Sequence, residues 1–291
     1  MPKANAKKAA PVKAAAKPSK ALAVRSSNTL ATQPSADINA LLAEDAGAGQ
    51  ESMGREDYAI PRLKVLQDLS PQVKKTEEGY IKGSEPGQFC DPISERVWSG
   101  EEGVLVIPIS YRRSHIEWKT RAKGGGFVAD HGPDGAILGQ CKQNDQGQMI
   151  LPNGNQITVN AEYFVFLVDA ETGEHTPYVL GLAGSQLKKS RRWNTMINQL
   201  RVENPNGGPT INPAIFYRAY QLSTEPERND KGSWFGVHIT PSTNTLDLPN
   251  GEATYIAARE FRKAINSGAV KAQAPSADQQ HTGDENPDSP M

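Results

Sequence analysis

A mainly β domain with added helices, an α+β fold, is predicted by three features of this sequence. Between Ile60 and Val270 the apolar residues gather in short runs rich in Val, Ile, Phe and Tyr, the composition of strands. Short turn-forming stretches such as "AETGE" separate those runs, as hairpins require. Only two later segments, around Trp193 and around Phe261, repeat apolar residues at helical spacing.

The elements follow in chain order. Residues 1–52 are dominated by Ala, Lys, Pro and Ser, and the segment Met1 to Arg25 carries Lys3, Lys7, Lys8, Lys13, Lys17, Lys20 and Arg25 without an acid. Such a segment has too little apolar surface to offset its ordering entropy, which predicts a disordered basic arm. "DINALLAEDAG", Asp37 to Gly47, is one short helix within it. A single domain is expected over residues 53–268, and the hydrophobic fraction of 37% fits a chain that is not packed throughout. "GQFCDPISERVW" (Gly87 to Trp98) and "QMIL" (Gln148 to Leu151) add a strand or a hairpin.

"GVLVIPISYRRSHIEWK", Gly103 to Lys119, is a long strand whose apolar side changes from Ile107, Ile109 and Tyr111 to Ile116 and Trp118, the signature of a β-bulge. Ile157 to Asp169 and His175 to Gly184 form a hairpin about "AETGE". The helix in "SQLKKSRRWNTMINQL" starts with Ser185 as its N-cap and is stopped by Asn204-Pro205-Asn206-Gly207-Gly208-Pro209. Two strands follow, Ala214 to Thr224 and Ser233 to Thr240, joined by the polar loop "EPERNDKG". The last helix, Glu252 to Ser267, places Ala253, Ala257, Phe261, Ala264 and Ile265 on one face. Residues 269–291 read as a disordered acidic tail carrying Asp278, Asp284, Glu285 and Asp288. Three strands, a helix and two strands is the order of a five-stranded OB-like Greek-key barrel with its helix between strands 3 and 4.

Function is read from charge. The whole chain is almost neutral, with Lys+Arg 32 against Asp+Glu 33. Yet Lys188, Lys189, Arg191 and Arg192 crowd the start of one helix, and Gln186 to Val202 contains no acid. On a helical wheel Trp193, Met196, Ile197 and Leu200 share the packing face. Lys188, Arg191 and Arg192 project opposite, with Lys189 at the edge of the apolar stripe, where its stem can snorkel. Cations of one sign at that spacing repel one another unless an anion joins them, so a polyanion is the economical partner.

The first long strand interleaves Tyr111, Arg112, Arg113, His115, Trp118, Lys119, Arg121 and Lys123, and Arg218 with Tyr220 repeats the theme, sharing a strand face with Phe216. Rings among bases suit unpaired nucleic acid, where bases stack on rings and cations track phosphates. Taken singly, Trp118, Tyr217 or Tyr220 reads more simply as a core ring with a wet edge; the reading rests on the set. The candidate nucleic-acid-binding residues are therefore Tyr111, Arg112, Arg113, Trp118, Lys119, Arg121, Lys188, Lys189, Arg191, Arg192, Arg218 and Tyr220, with Trp118, Tyr111 and Tyr220 as stacking rings. No helix-turn-helix, zinc finger or basic zipper is visible to read duplex DNA, which favours single strands.

"IPRLKVLQDLSPQV" (Ile60 to Val73), "VLVIPISYRRSHIEW" (Val104 to Trp118), "GGGF" (Gly124 to Phe127) and "SQLKKSRRWN" (Ser185 to Asn194) resemble bacteriophage proteins associated with DNA replication. The strand order, basic rings and acidic tail are similar to phage single-stranded DNA-binding proteins of OB-fold type. That resemblance implies single-stranded DNA as partner, replication or recombination proteins as partners of the C-terminal tail, and the host cell cytoplasm as location. The tail departs from the pattern, ending "DENPDSPM" where such tails typically end in an aromatic residue.

Chemistry and membrane insertion lack support in the sequence. Gly124-Gly125-Gly126 is not followed by GK[ST], so no phosphate-cradling loop is predicted. Cys90, Cys141, His115 and His131 are not paired at zinc-knuckle spacing, and Cys90 and Cys141 form no disulfide framework. Neither a nucleophile motif nor a two-metal carboxylate cluster stands out. No metal, cofactor or catalysis is expected, and no apolar stretch of ~18 residues marks a membrane span. The rival readings are a virion assembly protein touching the genome, and a nuclease or recombination enzyme.

Overall fold

The computed structural model describes residues 36–276, except 55, 56, 58, 121, 122, 230 and 231. The expected basic arm up to Arg25, the acids from Asp278 onward, and Arg121 lie outside the described residues. The chain divides into two compact units, Met1–Ser52 and Met53–Met291. In the first, α1 (Ala36–Glu44) overlaps the helix expected over Asp37 to Gly47 but ends three residues earlier, in a turn.

The second unit contains β1 (Ala59–Ile60), β2 (Arg62–Val65), β3 (Phe89–Asp91), β4 (Arg96–Trp98), β5 (Val104–Trp118), β6 (Phe127–Asp130), β7 (Lys142–Gln143), β8 (Met149–Ile150), β9 (Gln156–Val168) and β10 (His175–Ala183). Then come α2 (Leu187–Gln199), β11 (Arg218–Asn229), β12 (Gly232–Asn244), α3 (Gly251–Asn266) and β13 (Lys271–Ala272). Eleven strands form one curled sheet in the order β12-β11-β5-β9-β10-β2-β3-β4, with β6 on β5, β8 on β9 and β7 on β8. Its pairs are antiparallel except β10 with β2.

The five-stranded barrel expected from the sequence is not formed. Closure would require the end strands of β12-β11-β5-β9-β10 to pair with each other. Instead β10 takes β2 as its parallel neighbour, through Val179↔Arg62 and Leu180↔Leu63, and β12 ends the sheet. Two glutamines supply the missing backbone partners. Gln67 Nε2 donates to the Phe235 carbonyl at 2.9 Å while its Oε1 accepts from Phe235 N at 2.8 Å. Gln186 Oε1 accepts from Val237 N at 2.9 Å. A side-chain amide carries the same donor and acceptor as a peptide, so the end strand is met without a ladder.

The bulge in β5 is present, but earlier than the sequence suggests. Register shifts between Pro108 and Ser110, so Ile109 is the extra residue. Ile107 and Ile109 pack with Phe166, Phe216 and Ala258, whereas Tyr111 pairs with Tyr163, a member of the opposite core.

The predicted loop "EPERNDKG" is also corrected, because Glu225 to Asn229 continue β11 against β12. Backbone pairing overrides the polar composition there. Phe216 does not share a face with Tyr220: it sits in a 3-10 turn, Ile215–Tyr217, and a register shift separates Arg218 from Tyr220. Ser185 is not an N-cap. It lies in a 3-10 turn, and Gln186 precedes α2 without a side-chain cap.

Both helices cover the sheet. On one face α2 inserts Trp193 among Tyr163, Leu180, Leu182 and Tyr220, with Met196 and Ile197 against them, as its apolar stripe predicted. On the other, α3 packs Ala257, Ala258, Phe261 and Ile265 against Ile107 and Phe166. Ala253, expected inward, is exposed, and Thr254 is buried in its place.

Candidate nucleic-acid interface

Helix α2 positions the basic cluster as its periodicity dictates. Leu187, Ser190 and Trp193 face the sheet, which turns Lys188, Arg191 and Arg192 outward to exposed positions. Trp193 stacks on Tyr163 with ring centroids 4.2 Å apart and meets Tyr220 edge-on at 5.5 Å. The Tyr163 hydroxyl donates to Asn194 Oδ1 at 2.8 Å and lies 2.8 Å from Ser190 Oγ. Burial pushes the Tyr163 pKa up against the Ser190 and Asn194 hydrogen bonds. The helix is thereby fixed in rotation, and the direction of its cations with it.

Lys189 behaves differently. It is half-buried and pairs with Glu227 of β11. Glu227 Oε2 also accepts from Trp234 Nε1 at 2.8 Å and from Gln186 Nε2 at 3.1 Å. One of the four clustered cations is thus neutralised and ties the helix to the β11–β12 hairpin.

On β5, Tyr111 is 38% exposed and its ring lies 5.1 Å from Tyr163, which in turn touches α2. Tyr111 therefore adjoins the basic helix. Arg113, two residues along the same strand, is exposed, and neither it nor Arg192 meets a carboxylate among the described residues. Lys119 is also exposed, but stands eight residues beyond Tyr111, about 26 Å away at a strand rise of ~3.3 Å per residue.

Burial and pairing change the reading of four further residues. Trp118 is 2% exposed and donates through Nε1 to Thr158 Oγ1 at 2.8 Å; Tyr220 is 1% exposed beneath Trp193. Neither presents a ring face on the outer surface beside α2, so neither stacks a base there. Both are core rings because the faces of β5 and β11 that carry them are covered.

Arg112 lies on the opposite face from Tyr111. It binds Glu162 Oε2 through Nε at 2.8 Å and Asp130 Oδ2 at 3.2 Å, and is compensated within the fold. Arg218 is half-buried, reaching Asn244 Oδ1 at 3.4 Å while its Nε finds no acceptor among the described residues.

The carboxylate that holds Arg112 is itself buried. Glu162 also accepts from Arg62 Nη2 at 2.5 Å. Burial works to raise its pKa, but the guanidinium groups of Arg62 and Arg112 outweigh that and hold the carboxyl below its usual range.

The chain matches the family described as Pam3 phage gp34-like protein over residues 31–271. It belongs to that phage family. No curated protein and no solved structure matches it. All four segments that carried the phage resemblance, from Ile60 to Asn194, fall inside the matched range.

The phage protein's surface therefore reduces to a smaller set than the sequence offered: Lys188, Arg191, Arg192, Tyr111 and Arg113 around α2. Sequence reasoning missed Glu227, Gln186 and Trp234. The order "EPER" followed by "SW" gave one usable signal, since alternate residues of a hairpin share a face, placing Glu227 opposite Trp234.

Proposed function

We propose that this phage protein binds single-stranded nucleic acid, without catalysis, along the outward face of α2. The observation that supports the reading most is the exposure of Lys188, Arg191 and Arg192 on a helix with no acid between Gln186 and Val202. Tyr111 beside it supplies an exposed ring for base stacking, and Arg113 a further cation. Phosphates of a flexible strand bridge these groups, and sequence preference is weak because phosphate contacts carry no base information. A role in coating exposed strands during phage DNA replication or recombination, in the host cytoplasm, is the setting this activity suits. Tail contacts with replication proteins belong to the same proposal.

A mobility shift of a labelled oligonucleotide beside its duplex, at two salt concentrations, tests it. The single strand is expected to bind more tightly and to weaken with salt. Equal or tighter duplex binding would replace the single-strand reading with that of a genome-contacting virion component. Cleavage of the oligonucleotide in magnesium would instead identify a nuclease.

A further inference from the structure

We propose, resting on the single-strand reading above, that the cavity in the fork between β2 and β10 receives one nucleobase of the bound strand. The two strands pair only through Arg62 and Leu63 and then part. Where they separate lies a cavity of about 210 Å³, walled by Ile116, Trp118, Leu182 and Trp234 and reaching Gln186 at the start of α2. One water needs only about 10–15 Å³ of such space, so this one has room for a ring system. Glu227 links Trp234 to Lys189, which joins the cavity wall to the basic helix.

Polar groups converge at one point of that wall. Asn160 is 8% exposed; its Nδ2 donates to Glu162 Oε1 at 3.3 Å, which leaves Oδ1 buried with no donor. Arg62 uses Nε on the Gln273 carbonyl and Nη2 on Glu162, leaving Nη1. A methyl group built on Gly181 would press on the Asn160 amide, 3.0 Å from Nδ2 and 3.2 Å from Oδ1, and would lie 3.4 Å from Arg62 Nη1. Glycine at 181 therefore lets the Asn160 amide lie close against β10, its acceptor beside the Arg62 donor at the cavity wall.

The ligand that complements this wall has flat apolar faces and an edge with a donor next to an acceptor. Every nucleobase presents such a pair on its Watson–Crick edge, the edge read when an unstacked base enters a pocket between apolar side chains. Since the pattern is common to all four bases, the pocket anchors a strand without selecting its sequence.

Tryptophan fluorescence tests this with an oligonucleotide and a fully abasic strand of the same length, each also followed by mobility shift. The base-containing strand is expected to quench the emission and to bind about tenfold or more tightly than the abasic one, with a similar salt slope. Trp234→Phe should remove most of the quenching without abolishing the shift. Gly181→Ala and Asn160→Ala should lower affinity for the base-containing strand toward that for the abasic one and lose the base-dependent quenching; if the alanine at 181 unfolds the protein by circular dichroism, the change at 160 decides. Equal quenching by both strands, or base-dependent quenching undiminished in a folded variant, overturns the pocket and leaves the basic helix standing. Absence of a shift with either strand overturns the single-strand reading and the pocket with it.

Discussion

Replacing Glu162 by glutamine removes a buried charge on which two guanidinium groups meet. Glu162 is 0% exposed and Arg62 4%, so Arg62 loses its carboxylate with little access to water. Arg112 loses less, because it is half-exposed and keeps Asp130 at 3.2 Å. Breaking a buried pair from one side costs about 3–5 kcal/mol. With only Arg62 stranded, the lower end, about 3 kcal/mol, is expected, against a total of about 5–15 kcal/mol for a domain. In urea, at a slope of ~2–3 kcal/mol per molar, the midpoint should fall by about 1 M. Adding Arg62→Met should recover part of the loss, since an apolar replacement leaves no stranded charge.

The pH dependence has a definite sign. A carboxyl held below its usual range in the folded state contributes stability at pH above its unfolded value, and that contribution is lost as pH falls through the folded value. The difference between wild type and Glu162→Gln should therefore shrink on acidification. A midpoint shift below about 0.3 M at neutral pH, on the same slope, would refute the buried-pair argument.

Three further outcomes follow from the same geometry. Tyr111→Ala should lower single-strand affinity by about 1–3 kcal/mol, measured by titration, with little change in melting, whereas Tyr220→Phe should leave affinity unchanged. Gln67→Ala strands the Phe235 amide and carbonyl, and hydrogen exchange at Phe235 should quicken while the protein loses about 1–3 kcal/mol. Trp193→Ala empties the space between Tyr163 and Tyr220 and should cost about 3–5 kcal/mol by urea denaturation.

The helices and long strands were legible because their signals are local. The stripe of Trp193, Met196 and Ile197 fixed which side of α2 packs, and the cations followed. Sheet closure was not legible, since it depends on whether β10 meets β12 or β2. That choice is made by Leu63 and Leu180 across a long sequence separation and by the amides of Gln67 and Gln186, which read in the sequence as ordinary polar residues.

The site was partly legible for the same reason. Tyr111 and Trp118, seven residues apart on one strand, fall on opposite faces, but the extra residue at Ile109 moves Tyr111 off the face of Ile107, where alternation alone puts it. Neutralisation of Lys189 by Glu227 and of Arg112 by Glu162 is a matter of tertiary pairing, and no run of charges in the sequence reveals it.

The measurement that bears most directly on the basic helix is the salt dependence of single-strand affinity for wild type and for Lys188→Ala, Arg191→Ala and Arg192→Ala combined. At ~0.7 per phosphate contact on a single strand, the slope of log K against log salt should flatten by up to about 2 units and the low-salt affinity should drop. A slope and affinity indistinguishable from wild type would show that the strand, if bound at all, is held elsewhere.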